Sequence, residues 1–230
     1  MPSNLFLTDD GFVVKNDRLV GYFGDFRGDS VTLPNVTRII TNQALAPFSL
    51  VKKVVIPEGV EEIGQSCFTH FCALSEIVLP TSLRKICDSA FYDCRNLKQL
   101  KLPDSVTEIG GAFICCTGIE IFEVPPNVER LTGFMFDKAN QLKTVVLSEK
   151  QFEMIIDSYC SRKKSQGSDS TDGYCVFGNS GIRRLIVSGE ELTAENIMRW
   201  LRKRGYKDPR IISTLFWKTP LEAALSSNKK

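Results

Sequence analysis

The chain has 230 residues, of which 43% are hydrophobic and 24% are charged, and its formal net charge is +2. This composition excludes a disordered, collagen-like or multi-pass membrane protein. The small net charge provides no global field for nucleic acid or anionic lipid, so we expect neither nucleic-acid binding nor membrane insertion.

Residues 5–30 are predicted to form a small β-meander. Residues 12–14 and 19–23 are strand-like, and the Asp-Gly and Asn-Asp pairs at 10–11 and 16–17 are turn signals. The first unit of a repeat array exposes its core and a free strand edge. We therefore interpret the meander as an N-terminal cap.

A unit of 23 residues repeats over residues 31–147. Its most regular marker is proline, at Pro34, Pro57, Pro80, Pro103 and, 22 residues later, Pro125. Apolar residues keep the same phase six and eleven positions after the marker: Ile40, Ile63, Ile86, Ile109, Leu131, and Leu45, Phe68, Phe91, Phe136. Phe113 comes one position early because its copy lacks one residue, which explains the shorter period.

Each unit is predicted to contain a strand, a short second strand or tight turn, and a helical turn. Residues 97–102 end in strict alternation, with Leu100 and Leu102 on one side and Gln99 and Lys101 on the other. A single unit cannot bury its apolar face. We therefore expect the copies to stack around a shared core.

The repeat resembles that of the BspA-like leucine-rich repeat family. Residues 79–97 carry its pattern of an aliphatic–Pro pair, an aliphatic–x–x–Ile step, Ala-Phe-x-x-Cys and Leu, and residues 56–68 carry the first part. The resemblance is specific over residues 34–147. Departures from the pattern occur at Phe71, Cys87, Ala139 and Ser148.

The resemblance implies an α+β repeat protein, namely a right-handed leucine-rich-repeat solenoid of about six stacked units. We treat residues 1–230 as a single solenoid domain with caps at both ends. The family also implies a binding or adhesion role, often at cell surfaces, and supplies no catalytic residue.

Residues 148–188 are interpreted as one repeat opened by an insertion. Four apolar residues with helical spacing predict an amphipathic helix over 149–162: Phe152, Ile155, Ile156 and Tyr159. Residues 162–173 are polar and rich in Gly and Ser, which predicts a mobile loop. The repeat is expected to resume at 176–177.

Residues 189–227 are interpreted as the C-terminal cap. A helix is predicted after the N-cap residue Thr193, and Gly205 is predicted to end it. Residues 211–217 are predicted as a final strand, followed by a short helix from Pro220.

The eight cysteines contain no Cys-x-x-Cys pair, so we expect reduced, mostly buried thiols and neither a metal nor a cofactor. Cys160 and Cys175 flank the polar loop, and their pairing is left open. His70 is the only histidine; an exposed turn position is favoured over activation of Cys67 or Cys72.

The cysteine content and the absence of a basic segment before an apolar one near the N-terminus favour a cytoplasmic chain. Because relatives implied by the resemblance are often exported, a cell-surface or secreted protein made from a longer precursor is the alternative.

The outward strand positions, two and four residues before each marker, are the candidate binding surface. We call them the strand face: Lys53, Val55, Glu76, Val78, Gln99, Lys101, Ile121, Glu123, Thr144, Val146, Arg184 and Ile186. Exposed apolar residues among alternating charges indicate a contact surface for a protein. Val and Ile also favour strands without any function, which is the competing explanation.

The sequence therefore predicts a non-enzymatic protein-binding module, serving adhesion or host interaction, that uses the strand face. The alternative is a structural or self-assembling repeat unit that uses the solenoid ends or edges. The partner protein and the oligomeric state are left open. A basic run over 199–207 is interpreted as a solvated helix face, and one histidine with scattered carboxylates does not predict an active site.

Overall fold

A computed structural model describes residues 4–131, 135–166, 176–193, 196–207, 211, 216 and 219–227. The strands are β1 Leu5–Leu7, β2 Phe12–Lys15, β3 Arg18–Tyr22, β4 Ser30–Thr32, β5 Ile39–Ile40, β6 Lys53–Val55, β7 Glu62–Ile63, β8 Glu76–Val78, β9 Lys85–Ile86, β10 Glu108–Ile109, β11 Ile121–Glu123, β12 Arg130–Leu131, β13 Thr144–Leu147, β14 Arg184–Val187 and β15 Glu190–Leu192. The helices are a 3₁₀ turn Ala46–Phe48, α1 Glu149–Gln166, α2 Ile197–Lys203 and α3 Pro220–Ser227. None of these helices is long and apolar enough to cross a bilayer.

The predicted N-terminal meander is confirmed. Strands β1, β2 and β3 are antiparallel neighbours. Asn16 and Asp17 both have positive φ (49° and 60°), as a two-residue hairpin turn of type I′ requires. Strand β3 then pairs in parallel with β5, which joins the cap to the first repeat.

The predicted stack of copies around a shared core is also confirmed. The short second segments are strands, and β5, β7, β9, β10 and β12 are neighbours in one sheet. Their register places Ile40, Ile63, Ile86 and Ile109 opposite one another along the axis of the stack. All four side chains are buried. The solenoid architecture follows from this alignment.

A column of parallel phenyl rings runs through the core. Phe91 stacks on Phe68 at 5.1 Å and on Phe113 at 5.5 Å between ring centroids. Beyond Phe113 the column continues through Phe136 to Phe177 with parallel rings. Phe136 and Phe177 are therefore neighbours in space, as the interpretation of residues 148–188 as one opened repeat expects.

Helix α1 is longer than predicted, since it ends at Gln166 and includes the start of the predicted loop over 162–173. The extension is rich in Arg, Lys and Gln, which favour helix without contributing to apolar periodicity. The rest of that loop, the side chain of Cys160 and Cys175 lie outside the described residues. The pairing of Cys160 with Cys175 therefore stays a prediction.

The C-terminal cap differs from the prediction in one place. The described part of helix α2 begins at Ile197. The carbonyl oxygen of Thr193 accepts from the amide of Ile197 at 3.0 Å, and Oδ1 of Asn196 accepts from the amide of Thr193 at 2.8 Å, which is the pattern expected for Thr193 as the N-cap residue. Gly205, with φ +89°, ends the helix as predicted. Ile211 is helical, so the strand predicted over 211–217 is wrong at that position, because short apolar runs do not distinguish strand from helix. Residues 212–215 and 217 lie outside the described residues.

Candidate functional site

The strand face is carried by two separate sheets, β4–β6–β8 and β11–β13–β14–β15. Between them, residues 98–102 form no strand. Residues 75–124 are all described, and no backbone hydrogen bond within this segment joins 98–102 to β8 or β11. The strand predicted over 97–102 is therefore wrong, and Gln99 and Lys101 are exposed residues of an irregular segment.

The copy that follows the interruption has a larger side chain in its strand than its neighbours have, and it is one residue shorter. Phe122 occupies the inward strand position that carries Val54 in β6 and Ile77 in β8. Its ring lies 5.0 Å from Phe113 and 4.9 Å from Phe136 between centroids. The same copy is one residue short before Phe113. We attribute the interruption to this larger ring in a shorter copy, since a close-packed core does not absorb extra volume without displacing backbone.

The interruption leaves a cleft of about 800 Å³ between residues 98–102 and β11. At one end the two copies touch, because a Cβ on Gly118 would lie only 2.9 Å from the carbonyl oxygen of Leu97. At the other end, Nδ2 of Asn127 donates to the carbonyl oxygen of Asp104 at 2.8 Å. The cleft is therefore a slot that is closed at both ends by contacts between successive copies.

The floor of the cleft is apolar. Leu100, Leu102 and Val124 line it and are almost fully buried. Ile121 also lines it and is 58% exposed, and Pro126 lies at its rim. A large exposed aliphatic side chain beside an apolar floor is typical of a contact site.

The charged side chains of the cleft differ from those on the rest of the strand face. Elsewhere on that face, Lys53 and Glu76 of adjacent copies form an ion pair at 2.6 Å, and Arg184 of β14 pairs with Glu191 of the antiparallel strand β15 at 2.8 Å. In the lining of the cleft, Glu120 pairs with Lys143 at 2.9 Å. The guanidinium of Arg184 hydrogen-bonds to Glu191 and lowers the pKa of that carboxyl. Lys98, Lys101 and Glu123 form no ion pair within the described residues. The cleft therefore carries charges of both signs that no ion pair with a described residue neutralises.

Most of the predicted strand face is accessible. Seven residues are exposed, namely Glu76, Val78, Gln99, Lys101, Ile121, Glu123 and Arg184, and four are half-buried, namely Lys53, Val55, Val146 and Ile186. Thr144 lies at the predicted outward position, in register with Ile121 and Arg184, but it is only 7% exposed. The reason is that β13 is a central strand, and this short side chain lies between the longer side chains of Ile121 and Arg184.

Sequence reasoning missed the cleft and with it the roles of Lys98, Leu100 and Val124. The signal was present in two places. The aromatic residue at 122 departs from the aliphatic pattern of the other copies, and the one-residue deletion falls in the same copy. In the sequence analysis, the deletion explained only the 22-residue spacing of the proline marker and did not indicate a cleft.

His70 and the cysteines form no activated thiol pair among the described residues. Nδ1 of His70 lies 3.0 Å from Oδ2 of Asp93, and Nε of Arg95 donates to the same carboxylate at 2.6 Å. Arg95 and His70 hold the pKa of Asp93 below its ordinary value. Burial raises the pKa of Cys67 to about 12. No group of three or more potential metal ligands occurs in the described part of the chain.

The basic run of the C-terminal cap contains a structural residue. The guanidinium of Arg204 lies 3.7 Å above the ring of Trp200, and its Nε donates to Glu149 at 2.6 Å. The ion pair with Glu149 attaches α2 to α1. The guanidinium of Arg204 therefore already has partners within the fold.

The parallel stack, the phenyl column and the interrupted strand face define a leucine-rich-repeat solenoid. The family model for the BspA type leucine rich repeat region matches in six copies, over residues 22–143 and 62–166. These matches cover more than half of the chain, and the protein belongs to this family.

Solved bacterial structures share the fold. A T. pallidum leucine-rich repeat protein is 25% identical, with a TM-score of 0.52 over 63% of this chain and 68% of its own. The pneumococcal vaccine antigen PcpA is 23% identical, with a TM-score of 0.58 over 86% of this chain and 45% of its own. A leucine-rich cell surface protein of Faecalibacterium prausnitzii is 23% identical, with a TM-score of 0.51 over 65% and 44%. This chain thus spans less than half of the latter two, and no curated protein matches it.

Proposed function

We propose that this protein is a non-enzymatic protein-binding module that uses its strand face. The observation that carries the proposal is the pair of large exposed apolar residues on that face, Ile121 at 58% and Val78 at 42% exposed, on the two sides of the interruption. The family membership supports it, because leucine-rich-repeat solenoids present extended surfaces built from equivalent positions of successive copies. Two solved structures with the same fold are those of a vaccine antigen and a cell surface protein, which supports adhesion or host interaction as the setting.

The test is affinity capture from lysate and from host-surface extracts, followed by mass spectrometry. We expect the double substitution Val78→Asp with Val146→Asp to leave folding intact and to abolish capture, because charge on both sheets opposes burial of the face. The matched control is Val20→Asp with Val36→Asp, which places the same charge on exposed residues outside the strand face. Capture that survives in the strand-face variant, or is lost equally in the control, would move the binding site elsewhere.

A second candidate function is self-assembly, which the N-terminal edge favours. Strand β1 ends the long sheet and pairs only with β2 among the described residues, and its three residues, Leu5, Phe6 and Leu7, are all exposed. An apolar edge strand is a template for pairing with a second copy. Sedimentation velocity over a concentration series tests this candidate. Association that disappears in Leu5→Lys with Leu7→Lys supports it, and a monomer at every concentration contradicts it.

We propose a reducing compartment for the chain, as its six described free cysteines indicate. Export from a longer precursor is the alternative, since two solved structures with this fold are a vaccine antigen and a cell surface protein. Cell fractionation with an antibody against the chain distinguishes the two locations.

A further inference from the structure

We propose that the cleft between residues 98–102 and β11 binds an extended peptide segment of the partner, which adds to β11 as an extra strand. The segment carries alternating apolar side chains, an acidic residue at the end beside Lys98 and a basic residue at the end beside Glu123. This inference rests on the protein-binding function proposed above and specifies its site.

The first argument is the unused backbone of β11. The carbonyl oxygen of Glu120 accepts hydrogen bonds from Lys143 and Thr144, and the amide of Val124 donates to Val146, so these residues are directed towards β13. Alternate residues of a parallel strand bond to opposite neighbours. Ile121 therefore turns its amide and carbonyl groups into the cleft.

Glu123 likewise turns its backbone amide and carbonyl groups into the cleft. Within the described chain, neither Ile121 nor Glu123 has a backbone hydrogen-bond partner on the cleft side. An extended peptide supplies the missing acceptors and donors, as in other cases of strand addition to an open sheet edge. Strand addition is thus the binding mode that the backbone of β11 favours.

The second argument is the shape of the cleft. Contacts at Gly118 and at Asn127 close it at its two ends, and residues 98–102 form the wall opposite β11. A strand rises about 3.3 Å per residue, so five residues of extended chain span roughly 16 Å. The apolar floor at Leu100 and Val124 receives alternate side chains of such a segment.

The third argument is charge. At the Gly118 end, Lys98 is the charged lining residue that has no ion pair with a described residue, because Glu120 pairs with Lys143 and Arg95 pairs with Asp93. At the Asn127 end, three charged lining residues have no ion pair within the described chain: Lys101, Asp104 and Glu123. The cleft is therefore positive at one end and net negative at the other, which fits a segment of opposite polarity.

The probe for the test is a phage-displayed library of random eight-residue linear peptides, selected on the full chain. Enriched peptides are then synthesised and their affinity is measured by fluorescence anisotropy. The cleft variant is Ile121→Arg, at an exposed position, and the matched control is Val36→Arg, at an exposed valine outside the strand face. Circular dichroism melts establish that both variants fold.

We expect enriched peptides to bind wild type and Val36→Arg alike and to bind Ile121→Arg at least tenfold more weakly. Methylation of alternate peptide amides should cause a similar loss, and Glu123→Lys should remove the preference for a basic residue at one end. The inference is overturned if no peptide is enriched over the bare matrix, or if binding is indifferent to Ile121→Arg or to amide methylation. If partner capture still requires Val78 and Val146 in that case, the strand face binds a folded surface and only the cleft inference fails.

Discussion

At the scale of single residues, the fold depends on identical side chains that meet across copies. Phe91 is fully buried between Phe68 and Phe113, with both rings within 10° of parallel. Cys94 lies in the next layer, where its Sγ donates to the carbonyl oxygen of Phe68 at 3.1 Å. Each buried ring or thiol therefore contributes to two interfaces between copies.

Phe91→Ala should lower the free energy of unfolding by about 3–5 kcal/mol, because truncation of a buried aromatic loses transfer free energy and leaves a cavity between two copies. Urea denaturation followed by circular dichroism measures the change. The control is Phe23→Ala, at a residue that is 78% exposed, which should change stability by less than about 0.5 kcal/mol. Equal stability of wild type and Phe91→Ala would contradict the column.

Native thiol labelling should separate buried from exposed cysteines. Burial raises the pKa of Cys67 to about 12, so this thiol remains protonated and shielded at pH 8. Cys72 is exposed. Alkylation with iodoacetamide and peptide mapping should modify Cys72 within minutes and Cys67 only after denaturant is added. Rapid native labelling of Cys67 would be inconsistent with its position.

At the scale of elements, helix α1 explains why the proline marker is lost at position 148. The amide of Ser148 donates to Oε1 of Gln151 at 2.8 Å, and Oγ of Ser148 accepts from the amide of Gln151 at 3.2 Å. This reciprocal pair is a capping box, which proline is unable to form because it has no N–H. Nε2 of the buried Gln151 also donates to the carbonyl oxygen of Pro125 at 2.6 Å, which ties the insertion to the preceding copy.

Ser148→Ala should destabilise the protein by about 1 kcal/mol, since the first turn of α1 loses its side-chain acceptor. Chemical denaturation again provides the measurement. Ser148→Thr keeps a hydroxyl at the cap and should retain most of the stability. Identical midpoints for the Ala and Thr variants would show that the cap contributes nothing.

The elements that the sequence predicts well are those determined within one copy. Ile63, Ile86 and Ile109 each lie six residues after the proline of their own copy, and this spacing indicates which side chains are buried. The interruption at 98–102 is different, because this leucine-rich alternating run forms no strand, and we attribute that to the larger ring of Phe122 in the next copy. Such an effect depends on packing between copies, which a pattern along the chain does not contain.

At the scale of the whole molecule, one continuous core supports a strand face that is divided in two. The sheet of short strands runs without interruption from β1 to β12, whereas the strand face breaks between β8 and β11. The unbroken sheet and the phenyl column continue past the break, so the copies on its two sides stay joined while the cleft is open. The candidate site therefore arises from a local departure from the repeat.

Amide hydrogen exchange of the unliganded protein, followed residue by residue by NMR, tests the divided strand face most directly. Four equivalent amides, one in each successive copy, provide the comparison. Those of Glu76 and Thr144 donate to the preceding copy, to Lys52 and Glu120, whereas no backbone acceptor within the fully described segment 75–124 faces those of Gln99 and Ile121. We expect slow exchange at Glu76 and Thr144 and fast exchange at Gln99 and Ile121. Uniform protection of all four amides would show a continuous sheet and contradict the cleft.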